Sequence, residues 1–250
     1  MALIRLQRAI AQAGLASRRA AEEMIRQGRV VVNGRVVQEL GTKVDLKHDN
    51  ILVDRKPLSS VSEKVYLLLY KPTNYVTTVR DPQGRKTVMD IIKKSSIRLF
   101  PVGRLDYDAE GLIVLTNDGD LAHRLQHPRY GVLKTYQVKV KGHPQESVLN
   151  ALRTGVQLEE GTTAPAEVDV IRTLPQSSWL KVVLHQGWYR QIKRMCEAVG
   201  HAVLKIRRIA YGPLQVGQLT PGAYRHLKRN EIRQLYRLVQ LDQSELKKHG

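Results

Sequence analysis

The sequence predicts an α+β protein with a small N-terminal α/β module and a larger domain whose sheet is mixed and mainly antiparallel. Three observations lead to this prediction. Two short amphipathic segments precede a run of valines that is interrupted by Asn33-Gly34. Apolar runs of strand length recur from residue 66 onward, and some follow one another directly. Helical patterns are interspersed among these strands and do not alternate strictly with them, which is typical of an α+β domain.

Composition limits the class of protein. The chain has 250 residues, 42% of them hydrophobic, so it can form a core in one large or two smaller domains. Lys and Arg number 41 and Asp and Glu 23, a net charge of +18. This excess indicates a polyanionic partner, either nucleic acid or an anionic membrane surface. No stretch approaches the roughly 18 to 20 apolar residues that span a bilayer.

Cysteine usage and the N-terminal sequence bear on location. Cys196 is the single cysteine, which excludes an internal disulfide. The first residues lack the continuous apolar run of a signal peptide. Together these features predict a reducing, cytoplasmic location. The eight histidines show no metal-ligand spacing, and Cys196, on an amphipathic helix, is expected to be a packing residue.

Residues 1–60 are predicted to form the N-terminal module. Its elements are a helix over residues 3–13, a second helix over 17–27 with Ser17 as N-cap, a hairpin turning at Asn33-Gly34, and a strand at 51–53. At 100° per residue, Arg18, Arg26 and Arg29 fall within one quadrant of the second helix and its exit, with Gly28 as the expected end of the helix. Such arginines are either a solvated surface or a binding face.

A linker is predicted at residues 61–65, a domain at 66–240 and a polar tail at 241–250. Strands are expected at 66–70, 75–79, 112–115, 134–141, 166–174, 179–184 and 203–211. Helices are expected at 88–92, 121–125, 144–154 and from residue 188, and two short ones beginning at Thr220-Pro221 and Asn230.

The segment Pro101 to Asp120 carries the clearest chemical signal. Arg104, Asp106, Asp108 and Glu110 precede a continuous apolar run that predicts a buried strand. Functional groups are often mounted on a loop that a core strand holds in place. A solvated acidic loop is the simpler explanation, and a divalent-cation site is another, although the spacing matches no calcium-loop signature. The pattern alone leaves Asp106 as a candidate.

Two other segments carry candidate residues. Tyr136 lies on the alternating strand 134–141, where a buried aromatic is common. Arg190, Lys193 and Arg194 place three cations along one turn of the helix predicted from residue 188. A solvated basic face is the ordinary explanation for such a run.

The first 58 residues resemble the S4 RNA-binding domain. The sequence RLQRAIAQAGLASRRAAEEMIRQGRVVVNGRVVQELGTKV carries the match, over about residues 4–58. In that family a helix pair grips structured RNA, largely through phosphates, and the basic positions correspond to Arg18, Arg19, Arg26 and Arg29. Fixed cations on one face suit a phosphate backbone without reading its bases.

From residue 66 to about 238 the chain resembles ribosomal RNA pseudouridine synthases that carry an N-terminal S4 domain, especially the large-subunit enzymes. Three blocks carry the resemblance in the expected order: GRLDYDAEGLIVLTNDG, KTYQV and GWYRQIKRMCEAVGH. The resemblance implies isomerisation of a uridine in ribosomal RNA, most simply 23S rRNA or a pre-50S particle. It implies a monomer without cofactor, metal or membrane partner.

The resemblance also assigns roles. Asp106 would start cleavage of the glycosidic bond, Tyr136 would pack on the base and help to remove a proton, and Lys193 would pair with the aspartate. Arg104 would occupy the gap left by the extruded uridine, and Lys71 begins the family's first motif. We expect RNA contacts from Arg104, the four N-terminal arginines, Lys71, Arg190 and Arg194.

The sequence departs from the family pattern at the rim of the expected site. Asn74 stands where glycine is usual, and Gln186-Gly187-Trp188-Tyr189 replaces a more polar sequence. Lysine at 193 keeps the charge but lacks the bidentate fork of arginine. Three alternatives stay open: a non-catalytic RNA-binding or ribosome-assembly factor, a small-subunit rRNA enzyme, and a magnesium-dependent nuclease that uses Asp106, Asp108 and Glu110.

Overall fold

A computed structural model describes residues 3–58, 63–92 and 97–242. The chain forms two compact units, an N-terminal unit made mainly of Met1–Val65 and a C-terminal unit that holds most of the remainder. The predicted linker at 61–65 lies partly outside the described residues, and so does the predicted tail at 241–250 beyond Asp242.

The N-terminal unit contains two helices and six short strands. The helices are α1 (Leu6–Gln12) and α2 (Arg18–Arg26). The strands are β1 (Ile4–Arg5), β2 (Val30–Val32), β3 (Arg35–Val36), β4 (Lys43–Val44), β5 (Ile51–Val53) and β6 (Lys56–Pro57). The Ser17 hydroxyl accepts a hydrogen bond from the Ala20 amide at 3.1 Å, so the predicted N-cap is present. The apolar faces of α1 and α2 pack with Val30 and Val53 in one core.

The valine run folds as the predicted hairpin. β2 and β3 pair antiparallel, and the turn residues Asn33 and Gly34 have φ of 51° and 79°. Positive φ at both positions is the two-residue turn that Asn-Gly favours. α2 ends at Arg26, and Arg29 lies beyond the helix, on its exit as predicted.

The C-terminal unit is built on one mixed sheet. The strands of the unit are β7 (Tyr66–Lys71), β8 (Phe100–Val102), β9 (Glu110–Thr116), β10 (Lys134–Lys141), β11 (Gln157–Leu158), β12 (Gly161–Thr162), β13 (Glu167–Leu174), β14 (Ser177–Leu184), β15 (Val203–Tyr211), β16 (Leu214–Gln215) and β17 (Tyr224–His226). Of these, β11 and β12 form a small sheet of their own. Its helices are α3 (Val88–Ile91), α4 (Gly119–Gln126), α5 (Glu146–Thr154), α6 (Gln191–Ala198) and α7 (Arg229–Leu238), with a 3₁₀ turn at Pro128–Tyr130.

The large sheet has the order β13-β14-β10-β15-β9-β7-β17, with β8 beside β9 and β16 beside β15. Its described pairings are antiparallel except that between β9 and β15. The predicted α+β class with a mixed, mainly antiparallel sheet is therefore confirmed. Two apolar cores pack on this sheet, one around Val138 and Leu180 and the other around Leu112 and Tyr236.

Three local predictions are wrong. Residues 75–79 form no strand, and only an isolated bridge joins Val76 to Thr87. Thr220-Pro221 begins a turn that leads into β17, because the edge of β7 offers the backbone partners that no local pattern reveals. The helix predicted from residue 188 begins at Gln191, because Arg190 takes a left-handed conformation with φ of 47°.

Gly111 permits the parallel contact at the centre of the sheet. It has a φ of 115°, and a Cβ at this position would lie 2.2 Å from the carbonyl oxygen of Arg208. A side chain here would force β9 and β15 apart. The closeness of these strands fixes the loop before β9, which carries Asp106, beside the middle of β15. Within the described residues, no helix is long and apolar enough to cross a membrane.

Candidate active site

A cavity of about 440 Å³ lies at the parallel junction of β9 and β15. Its walls come from the loop before β9, from β10 and β15, and from the segment that leads into α6. Asp106, Tyr136 and Lys193, the three predicted catalytic residues, all line it. The other lining residues include Arg104, Leu105, Ala109, Lys134, Gln186, Trp188, Tyr189, Arg190, Ile206, Arg208 and Tyr211.

The loop that carries Asp106 is held by the segment after β7. The Thr77 hydroxyl donates to the Leu105 carbonyl at 2.8 Å, and the Leu105 amide contacts the same hydroxyl at 3.2 Å. The Asn74 amide donates to the Tyr107 carbonyl at 2.7 Å. Asn74 has a φ of 65°, a conformation that asparagine tolerates better than most residues, which explains how it stands where the family has glycine. The backbone around Asp106 is therefore fixed before any ligand arrives.

Lys71 has a structural role, and the prediction that it contacts RNA is wrong. Its side chain is fully buried. The Nζ atom donates to the carbonyl oxygens of Ala109 at 2.7 Å and Pro72 at 2.9 Å, and lies 3.4 Å from that of Tyr107. Burial lowers the pKa of Lys71 to about 8, although nearby carboxylates oppose the shift. Lys71 thus ties the C-terminal part of the Asp106 loop to the end of β7.

Lys193 contacts two carboxylates. Its Nζ lies 2.5 Å from both carboxylate oxygens of Asp108 and 3.9 Å from Oδ2 of Asp106. The lysine side chain is 12% exposed and that of Asp106 34%. Burial would raise the pKa of Asp108, but the hydrogen bond and charge of Lys193 outweigh it, so the pKa is lowered. The sequence predicted the pair with Asp106 and missed Asp108 as the nearer partner.

Tyr136 reaches the cavity from the middle of the sheet. β10 pairs with both neighbours here, so that Tyr136 lies opposite Val182 on β14 and Arg208 on β15. The residue is 8% exposed and belongs to the apolar core. Pairing on both edges leaves its backbone little freedom, and the ring is therefore a fixed wall of the cavity.

Arg208 is a cavity residue that the site prediction missed. It is 2% exposed, its Nε donates to the Leu112 carbonyl at 2.7 Å, and its guanidinium lies 5.1 Å from the centre of the Tyr211 ring. Its Nη2 has no hydrogen-bond partner in the described structure. The sequence held one signal for it. Arg208 lies on the predicted strand 203–211, two residues from Ile206, so strand alternation places both side chains on the same face. An arginine on a buried face is rare and indicates a functional or pairing role.

Glu110 binds two cationic side chains of the neighbouring strand β15. It accepts hydrogen bonds from Arg207 Nε at 2.8 Å and lies 3.2 Å from Lys205 Nζ. Burial would raise its pKa, but these two cations lower it overall. Glu110 and Asp108 each pair with a cationic side chain. Asp106, Asp108 and Glu110 are therefore not arranged as oxygen ligands around one metal ion. Among the described residues, no three His, Cys, Asp or Glu side chains are grouped to hold a metal ion.

The remaining predicted RNA contacts divide into three groups. Arg104 and Arg190 are exposed and line the cavity. Arg194 lies outside it, and its guanidinium binds Glu160 and the Tyr189 carbonyl. In the N-terminal unit Arg18, Arg19, Arg26 and Arg29 are all exposed; Arg26 is 3.3 Å from Glu23, and Arg29 forms a bidentate pair with Asp54.

Cys196 is buried in the core beside the site, as predicted for a packing residue. Burial raises the pKa of its thiol to about 12, so the thiolate is not populated at neutral pH.

Comparison with known proteins agrees with the fold and the cavity. Residues 65–198 match the family model described as RNA pseudouridylate synthase, and residues 4–51 match the S4 domain. The chain thus has the architecture of an enzyme that isomerises uridine in RNA behind an RNA-binding module. It belongs to the RNA pseudouridylate synthase family, in the branch with an N-terminal S4 domain, which confirms both resemblances seen in the sequence.

Individual relatives cover almost the whole chain. The ribosomal large subunit pseudouridine synthase B of Bacillus subtilis is 45% identical over 241 residues, which are 94% of this chain and 96% of that protein. A protein of Aquifex aeolicus named as an uncharacterized RNA pseudouridine synthase is 43% identical over 95% of this chain and 96% of its own. A crystal structure of a pseudouridylate synthase superposes with a TM-score of 0.67 at 29% identity, over 93% of this chain and 99% of that one.

Proposed function

We propose that this protein converts one specific uridine of 23S ribosomal RNA, free or within a pre-50S particle, to pseudouridine. The observation that carries the proposal is the 3.9 Å approach of Lys193 Nζ to the Asp106 carboxylate inside a cavity that Tyr136 also lines. The choice of large-subunit RNA is supported by the similarity to the Bacillus subtilis protein, whose name assigns it to that subunit.

The reaction breaks the bond between ribose C1′ and uracil N1, rotates the base, and joins C1′ to C5. The proton on C5 is lost and N1 gains one, so atoms balance without a redox step, and no cofactor is required. Asp106 begins the cleavage, as nucleophile at C1′ or as a base. The ammonium group of Lys193 lies 3.9 Å from this carboxylate and attracts its negative charge.

Tyr136 and Arg104 are proposed to stabilise the extruded nucleotide. A uridine within a stack or duplex is out of reach of Asp106, so it must be flipped out, at a cost of a few kcal/mol. Stacking on an aromatic ring returns about 1 to 3 kcal/mol per base. Tyr136 provides that ring and assists removal of the C5 proton, while the exposed Arg104 at the cavity mouth occupies the gap in the RNA.

RNA outside the cavity is held through phosphates. We assign this role to Arg18, Arg19 and Arg26 on α2 and to Arg190 at the cavity. Arg29 and Arg194 belong to the proposed set, but each already binds a carboxylate, as Arg26 does with Glu23, and these three would have to exchange partners. We propose that residues 1–60 dock the RNA and residues 66–240 perform the chemistry, with the protein acting as a monomer in the cytoplasm.

Tritium release tests the chemistry. Ribosomal RNA labelled with tritium at uridine C5, from a strain that lacks the gene, should lose label when the purified protein is added. Asp106→Asn should abolish release while RNA binding is retained. Asp169→Asn is the matched control, since Asp169 is an exposed carboxylate on β13 outside the cavity, and it should behave as wild type. Full turnover by Asp106→Asn would refute the site.

Mapping pseudouridine in the same strain tests the substrate. One uridine of 23S rRNA should lack the modification and regain it when the gene is restored. A missing modification in 16S rRNA would favour the small-subunit alternative. An unchanged map, with RNA binding intact, would favour a non-catalytic assembly factor.

A further inference from the structure

The segment Gln186–Arg190, here called the rim loop, places two aromatic side chains at the cavity mouth. Trp188 is half-buried and lines the cavity. Tyr189 also lines it and is 71% exposed, more than any other large hydrophobic side chain in the described structure. A single exposed aromatic is unremarkable on a protein surface. Tyr189, however, lies beside the predicted catalytic residues, where an RNA substrate would enter the cavity.

The backbone of the rim loop is fixed from both sides. The Gln191 side chain accepts from the Trp188 amide at 3.1 Å and donates to the Gln186 side-chain oxygen at 2.8 Å. That oxygen also accepts from the Ala164 amide at 3.0 Å. Just before the loop, Lys134 Nζ donates to the His185 carbonyl at 2.6 Å. These bonds hold the loop in one conformation.

Two arginines that come after the aromatic pair, Arg190 and Arg194, strengthen this arrangement. Arg190 has φ of 47° and ψ of 34°, a left-handed conformation that costs a non-glycine residue about 1 to 3 kcal/mol. The guanidinium of Arg194 donates to the Tyr189 carbonyl at 3.0 Å. The backbone of Tyr189 is therefore held while its ring is left open to solvent. Such preorganisation lowers the entropy lost when a ligand stacks on the ring.

The charges around the ring indicate the chemistry of that ligand. Arg104 and Arg190 are exposed at the same cavity, so an aromatic face and two cations line one site. An unpaired nucleotide offers a flat base and a phosphate together, and single-stranded RNA is commonly bound by this combination. A base within a continuous helix has both faces covered by its neighbours and cannot use the ring.

We propose that Tyr189 stacks on an unpaired base next to the uridine that enters the cavity, with Trp188 bordering the same path. This inference rests on the proposed function and narrows its substrate class. The enzyme selects a uridine in a loop, bulge or end that has at least one unpaired neighbour. The rim loop is one of the places where this chain departs from the family's usual sequence, so this preference is a property of its own residues.

Steady-state kinetics test the stacking on a 23S rRNA fragment that contains the mapped uridine. Tyr189→Ala should raise KM about 5- to 150-fold and leave kcat within about twofold, because the stacking acts on binding. Tyr189→Phe keeps the ring and should match wild type. Tyr224→Ala removes another exposed tyrosine, on β17 outside the cavity, and should have no effect.

Two further measurements make the outcome decisive. With the neighbouring base replaced by an abasic site, wild type and Tyr189→Ala should have equal KM values. By fluorescence anisotropy, Tyr189→Ala should bind a labelled uridine-containing single strand more weakly than wild type, with no change for the matching duplex. An active wild type whose KM and binding are unaffected by Tyr189→Ala overturns the stacking and keeps the function. An inactive wild type whose single-strand binding depends on Tyr189 overturns the function and keeps the stacking.

Discussion

Two arginines of the N-terminal unit and two lysines of the C-terminal unit have opposite surroundings. In the N-terminal unit Arg18 and Arg19 are exposed, and neither has a carboxylate partner within the described part of the chain. In the C-terminal unit Lys71 is fully buried against carbonyl oxygens, and Lys193 is 12% exposed against Asp108. Exposed cations remain free for phosphate, whereas a buried cation requires partners of its own. We therefore propose that Arg18 and Arg19 serve docking, whereas Lys71 and Lys193 serve positioning.

The largest expected effect is at Lys193. Lys193→Met removes the ammonium group beside Asp106, and we expect kcat to fall about 100- to 1000-fold, the usual loss of one preorganised electrostatic partner. RNA affinity should change little, because the side chain is mostly buried. Single-turnover assays on saturating RNA measure this separation between kcat and binding.

Lys193→Arg is the matched control for charge. It should recover part of the loss, since it restores the positive charge with a different shape. If Lys193→Met instead weakened RNA binding and left kcat unchanged, Lys193 would be a docking cation like those of α2, and the contrast between the two units would fail.

The sequence was sufficient wherever the signal is local. Asn33-Gly34 specified its turn, and the alternation of residues 134–141 specified β10 with the bounds that the structure has. The resemblance brought Asp106, Tyr136 and Lys193 to one cavity. Local patterns could not reveal what depends on distant partners. The burial of Lys71 needs carbonyls from the Asp106 loop, and the preference of Lys193 for Asp108 depends on side-chain reach within a few ångströms.

An intermediate effect is expected in the N-terminal unit. If Arg18 and Arg19 contact phosphates, the double variant Arg18→Gln/Arg19→Gln should bind rRNA more weakly at every sequence and leave kcat at saturation unchanged. The slope of log affinity against log salt should shrink by about 1 for each arginine lost. Filter binding from 50 to 300 mM salt measures it.

Arg172→Gln is the control for charge in that experiment, because Arg172 is an exposed arginine on β13 outside the cavity. Its salt slope should equal that of wild type. An equal loss of slope in this control would mean that the total charge of the chain, rather than the face of α2, attracts the RNA.

The smallest effect concerns the pH dependence of folding. Burial lowers the pKa of Lys71 from 10.5 in the unfolded chain to about 8 in the fold. Between these values the unfolded chain binds more protons than the folded one, so Lys71 makes the free energy of unfolding rise as pH increases from 8 toward 10.5. One proton sets a limit of about 1.4 kcal/mol per pH unit.

Lys71→Met removes this contribution, and urea unfolding at pH 7.5, 8.5 and 9.5 measures it as a difference in slope between variant and wild type. The variant also loses three carbonyl contacts, which lowers its stability at every pH but does not change the slope. Lys134, whose pKa burial also lowers to about 8, contributes the same sign and stays in both proteins. Parallel slopes would show that Lys71 keeps its ordinary pKa, and so that this cation is hydrated like the arginines of α2.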